Sequence, residues 1–162
     1  MKILRLNPQI HNRAAFDSGE EKLDLFLQKY ANQAAKKGES ETYVLVGEKD
    51  PCQILGFHTI LSKTISYDIF PLSIGTGEIS VMLLARIATL KTLRGKGYGE
   101  LLMWHVFLKT VEKSEGFDLQ ALILDAKNSE VKKIYHKWGF RELLDSPFHL
   151  YITLQEVKQA LK

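Results

Sequence analysis

Cysteine is nearly missing from this chain: Cys52 is the single thiol in 162 residues. One cysteine excludes a disulfide framework and suits a reducing cytoplasm, the expected location. No run of about 18 apolar residues occurs, so no membrane partner is expected. Met1–Ile10 has no apolar stretch of the kind that opens an export signal. The five histidines (His11, His58, His105, His136 and His149) are scattered, without an H-x-x-x-H or a Cys/His pairing. That pattern argues against a metal site. There is no G-x-S-x-G elbow, and Cys52 follows Pro51 in a turn signal, so a side-chain nucleophile is not expected. Excess charge is small as well. A net charge of +3 permits an anionic partner without demanding one.

What is present starts with an ordinary globular composition, 45% apolar and 25% charged. Residues 1–162 predict a single domain, long enough to bury a core without staples. The most informative string is Arg94-Gly95-Lys96-Gly97-Tyr98-Gly99. It sits between the apolar run Val81–Leu90 and a helical pattern. Glycine lets the backbone turn sharply and press its N–H groups against a ligand. A helix opening there aims its positive dipole end at the same place. With Arg94 and Lys96 added, the string reads as an anion site, most plausibly for a pyrophosphate; an ordinary tight turn is the alternative. The dinucleotide fingerprint G-x-G-x-x-G is missed by one residue, and the P-loop string is absent.

Lys2–Leu6 alternates as a first strand. Ser18-Gly19-Glu20-Glu21 predicts a capping box, and apolar residues from Leu23 to Ala34 then repeat at helical spacing up to Gly38. Thr42–Val46 and Ile54–Leu61 predict a hairpin across Asp50-Pro51. Ser62–Gly77 predicts an irregular crossing, and Glu78–Leu90 a buried central strand. Gly99–Lys113 predicts a helix with Leu101, Trp104, Leu108 and Val111 on one side. Ala121–Leu124 predicts a strand, Ser129–Trp138 a helix ended by Gly139, and Phe148–Leu154 a last strand. This order makes the fold class α/β with a central mixed sheet.

Two strings together carry a resemblance. Arg94-x-x-Gly97-x-Gly99 matches [Q/R]-x-x-G-x-[G/A], and Asn128-x6-Tyr135-x2-Trp138-Gly139-Phe140 is similar to N-x-x-A-x-x-x-Y-x-x-x-G-F. The chain thereby resembles the GNAT superfamily of N-acetyltransferases. The resemblance implies the GNAT acyl-CoA fold, a mostly antiparallel mixed sheet flanked by helices. It also implies acetyl-CoA as co-substrate and no metal. The loop Arg94, Gly95, Lys96, Gly97, Tyr98 and Gly99 would hold the pyrophosphate. Ile87, Ala88 and Thr89 would pair with pantetheine where their strand splays at a bulge, and an N–H there would support the acetyl oxygen. Tyr135 would protonate the leaving thiolate, or is simply a packed aromatic. Asn128 is a helix N-cap, a pantetheine contact, or both.

A narrower resemblance rests on His11, Phe16-Asp17-x-Gly19, Leu23-Asp24-x-x-Leu27, Thr42-Tyr43-Val44 and Leu84-Ala85-Arg86-Ile87-Ala88. These look like the GNAT toxins, which acetylate the α-amino group of aminoacyl-tRNA and are silenced by a ribbon-helix-helix antitoxin. A homodimer is implied too. The chain departs from that subgroup where it has Asp17-Ser18 in place of x-Cys and Ala85 in place of Gly. Arg86, Lys91, Arg94 and Lys96, with Lys127, Lys132, Lys133, Lys137 and Arg141, predict either a basic rim for tRNA phosphates or a solvated face. An α-amino group titrates near about 8, so no strong general base is required; Glu78, ahead of the central strand, is either a weak candidate for one or a surface charge. The competing expectations are transfer to a protein or small-molecule amine, and a non-catalytic acyl-CoA-binding module.

Overall fold

In a computed structural model, residues 1–71, 75 and 77–162 are described. Backbone contacts group them into two compact units, Met1–Leu61 with Ala85–Val106, and Ser62–Leu84 with Phe107–Lys162. Seven strands form one sheet among the described residues, in the order β1-β2-β3-β4-β5-β7-β6.

In the first unit β1 (Lys2–Arg5), β2 (Glu41–Val46) and the start of β3 (Ile54–Ser66) form an antiparallel meander. Helix α1 (Glu21–Leu25) passes through a π-turn, Phe26–Tyr30, into α2 (Ala31–Lys36). This segment buries Phe26, Leu27 and Ala31 against Phe16, Val44, Val46, Ile54 and Phe57. The predicted capping box differs in its acid. Glu20 takes the N-cap place without a side-chain cap, and Ser18 Oγ bonds instead to Asp24 Oδ1 at 2.7 Å. Ser18 lies outside the helix, so the carboxylate one turn further on reaches it and Glu21 does not.

In the second unit the first part of β4 (Glu78–Thr89), from Ser80 to Leu84, runs parallel to β5 (Leu119–Asp125). Both faces of a parallel ladder are covered, and Val81, Met82, Leu84, Ala121, Leu122, Ile123 and Leu124 are accordingly buried. Strand β7 (His149–Thr153) pairs antiparallel with β5 and with the two-residue β6 (Arg141–Glu142). Strand β3 extends past its predicted end to Ser66. Of the predicted irregular crossing, positions 72–74 and 76 lie outside the described residues.

The long helix α3 (Tyr98–Ser114) buries Leu102, Met103, Val106 and Phe107. The predicted face is corrected here: Leu101 and Trp104 are 44% and 50% exposed. The helix is apolar nearly all round, so the spacing could not select a face.

Helix α5 (Leu154–Ala160) has no counterpart in the predicted elements. Its capping box joins Thr153 and Glu156, and Arg141 closes a two-pronged pair on Glu156 at 2.6 and 2.7 Å. These donors, Arg141 first, pull the Glu156 carboxyl down to about 2. A lowered pKa stabilises the fold fully above about pH 4.5 and loses that effect as pH falls through about 2. Both side chains are about two-fifths exposed, so solvent screening leaves about 1 kcal/mol. Glu156→Gln is therefore expected to lower Tm by about 2–4 °C at pH 7. The gap should close as the pH of the melting scan approaches 2.

Candidate active site

The glycine loop follows β4 directly. Leu90 N–H donates to Leu55 O at 2.9 Å, and Leu93 N–H returns to Leu90 O at 2.9 Å. A short 3-10 turn, Lys91–Leu93, thus delivers the chain to Arg94. Gly95 and Gly97 have φ of +77° and +87°, the left-handed region that side chains avoid. A Cβ placed at Gly95, Gly97 or Gly99 would find no heavy atom within 4 Å. Space is left open where backbone N–H groups end free, since the first turn of α3 has no intrahelical acceptors. Such a cradle suits the pyrophosphate of a nucleotide cofactor. Tyr98 is half-buried at the first position of α3, while Gly99 is exposed.

The cations around the loop are less available than their density in sequence predicts. Arg86 lies 3.7 Å over the ring of Phe26, and burial pulls its pKa down. Lys91 Nζ is 2.9 Å from Asp17, and Arg94 donates to the carbonyl of Ser18. Lys96 alone of the four is exposed without a protein partner among the described residues.

Strand β4 continues past the parallel ladder, which ends at Leu84↔Leu124, through Ile87 and Ala88 to Thr89. Ile87, Ala88 and Thr89 are half-buried. The ladder's register shift falls between Ser80 and Val81, where Gln120 has no opposite residue.

In the second unit, Asn128 caps α4 (Ser129–Lys137) by accepting from Val131 N–H at 2.9 Å. Tyr135 stands on the last turn, edge-on to Phe140 with ring centroids 5.6 Å apart. It is half-buried, and burial pushes its phenol up to about 12. Its hydroxyl has no hydrogen-bond partner among the described residues. Packing and an available proton therefore coexist in Tyr135. Lys132, by contrast, is committed: it pairs with Glu142 and lies 5.3 Å from the Phe148 ring centroid. Lys133 and Lys137 remain exposed.

Sequence spacing also missed a buried pair. His58 Nε2 and His105 Nδ1 approach to 2.8 Å, beneath the ring of Tyr43. The two histidines are 47 positions apart, so no local pattern could join them. Among the described residues no group of three or more His, Cys, Asp or Glu side chains could hold a metal ion. None of the described helices is long and apolar enough to cross a membrane.

Residues 40–142, which include the glycine loop and Tyr135, match the model of the acetyltransferase (GNAT) domain. The chain belongs to the GNAT acetyltransferase family. It is an acetyl-CoA-dependent N-acetyltransferase, and the glycine cradle fits that co-substrate. A probable toxin TacT of Sinorhizobium fredii is 27% identical, over 96% of this chain and 92% of its own length. A tRNA-acetylating toxin of Mycobacterium tuberculosis is 24% identical over 91% of this chain and 89% of its own. In fold, the chain is similar to AtaT complexed with acetyl-methionyl-tRNAfMet. The TM-score is 0.90 at 22% identity, over 99% of both chains.

Proposed function

We propose that the acceptor is the α-amino group of aminoacyl-tRNA and that the protein acts as a toxin. The observation that carries this reading is the likeness to a tRNA-acetylating toxin along 91% of the chain, well beyond the GNAT core alone. The resemblance to the GNAT toxins further implies a ribbon-helix-helix antitoxin as partner, a homodimer as the working form and the cytoplasm as the location.

Acetyl-CoA supplies the acetyl group as a thioester. The N–H groups of Gly97, Tyr98 and Gly99 hold its pyrophosphate, with Lys96 as the accessible cation. Backbone groups of Ile87, Ala88 and Thr89 take the pantetheine, and an N–H there supports the acetyl oxygen. Asn128, already occupied as a cap, is at most a second contact to pantetheine. The neutral amine forms the new N–C bond while the C–S bond breaks, its electron pair passing to sulfur. Tyr135 gives sulfur its phenolic proton and regains one from the proton that the amine sheds through solvent. A phenol near 12 facing a thiol near about 8.5 makes separate transfer uphill by about 5 kcal/mol. Transfer of the proton as the C–S bond breaks avoids that cost.

For tRNA, the exposed Lys133 and Lys137 are the phosphate contacts, because Arg86, Lys91 and Lys132 are engaged within the protein. The test is incubation with labelled acetyl-CoA and, in parallel, bulk aminoacyl-tRNA, protein extract and polyamines. Label should enter charged tRNA and be lost when the tRNA is deacylated beforehand. Binding should weaken by about 0.7–0.9 log units per tenfold salt for each phosphate contacted, and Lys133→Ala with Lys137→Ala should flatten that slope. Label in protein or polyamine alone would leave an acetyltransferase with a different acceptor.

A further inference from the structure

The turn Phe16–Gly19 lies outside the family-matched segment, yet the glycine loop is tied to it. Lys91 N–H donates to Asp17 O at 3.0 Å, and its ammonium meets Asp17 Oδ2 at 2.9 Å. Arg94 donates to the Ser18 carbonyl. The turn is itself held fast. Asp24 Oδ1 on α1 accepts from Ser18 N–H at 3.0 Å and from Ser18 Oγ at 2.7 Å. Asp17 Oδ1 accepts from Gly19 N–H at 2.9 Å. Phe16 is buried edge-on against Phe57, with centroids 5.5 Å apart.

Gly19 is what admits the contact. Its φ is +88°, and a Cβ there would sit 2.7 Å from Arg94 Nη2, closer than any real contact of that kind. A side chain at this position would push the guanidinium off the Ser18 carbonyl. Lys91 and Arg94 are both exposed cations; of their two ties to the turn, the Arg94 contact is the one that depends on Gly19 having no side chain.

We infer that Gly19, Ser18 and Asp24 are positioning residues for acetyl-CoA: they form a fixed anchor that holds the cofactor loop through Arg94, whose guanidinium serves as a strut and not as a phosphate ligand. This rests on the loop being the acetyl-CoA site. A loop held in its binding shape avoids an ordering cost at each binding event. The anchor's contribution therefore appears in affinity for acetyl-CoA more than in the chemical step. Helix α1, which carries no cofactor residue, thereby governs cofactor affinity from outside the site.

The experiment is a double-mutant cycle on acetyl-CoA binding, read by isothermal titration and by KM against kcat. Gly19→Ala keeps the charge of Arg94 but removes its seat; Arg94→Ala removes the strut. Each should raise Kd by about tenfold, the size of one charge-assisted hydrogen bond. The double variant should also lose only about tenfold, because both changes break one tie. The loss should fall on KM for acetyl-CoA and not on kcat. If Gly19→Ala fails to fold by circular dichroism, Asp24→Ala, which unties Ser18 from α1, takes its place in the cycle. A parental Kd in Gly19→Ala, or losses that multiply to about a hundredfold in the double variant, would overturn the inference. A parent protein that binds no acetyl-CoA would remove the cofactor reading, and the inference with it.

Discussion

Tyr135→Phe is expected to lower turnover by about 10²–10⁴ while leaving acetyl-CoA affinity within a few-fold of the parent. The substitution keeps the ring that packs on Phe140 and deletes only the proton. Steady-state kinetics with acetyl-CoA varied at fixed acceptor separates the two effects. The pH profile adds a signature that packing alone would not produce. Tyr135 works when protonated, and its pKa is raised to about 12, so competence is lost only as pH rises through about 12. The acceptor amine works when neutral and gains competence as pH rises through about 8. Activity should therefore climb through about pH 8 and stay level past about 10, where an ordinary phenol would begin to fail. Near-parental turnover in Tyr135→Phe would make the tyrosine a packing residue, with water protonating the thiolate.

Gly97→Val is expected to abolish the stabilisation that acetyl-CoA confers. At a hundredfold excess over Kd a ligand stabilises by about 2.7 kcal/mol, which for a chain of this length raises Tm by about 5–10 °C. Valine would have to adopt φ near +87°, a region that β-branched residues scarcely enter. Its side chain would also occupy the open space above the loop. The apo protein should lose only about 1–3 kcal/mol from backbone strain, so a folded but unresponsive variant is the expected outcome. An unchanged ligand-induced shift would mean the pyrophosphate rests elsewhere.

The parts of this fold that were legible in sequence are those governed by neighbours along the chain. The glycine loop, the Asn128 cap, the stop at Gly139 and the strand ahead of the loop each depend on a few adjacent residues, and each is where the pattern put it. Helix α5 was not predicted, although the capping-box signature Thr153-x-x-Glu156 stands at its start. What sequence could not supply are partners across long separations. Arg94 and Ser18 are 76 positions apart, and nothing local shows that a loop cation is spent on a distant carbonyl. Lys132 looked like surface charge until Glu142 and Phe148 closed over it. The π-turn Phe26–Tyr30 left no trace in the apolar spacing, since an added residue per turn shifts a face without erasing it.

The most direct test of the central claim is the chemical identity of the acetylated product. Charged tRNA incubated with acetyl-CoA and the protein would be digested with ribonuclease, and the released aminoacyl-adenosine analysed by mass spectrometry. The account predicts one added acetyl group on the α-nitrogen of the amino acid, present with the parent protein and lost with Tyr135→Phe. Aminoacyl-adenosine of unchanged mass, under conditions where the same protein acetylates a free amine or a protein N-terminus, would contradict it.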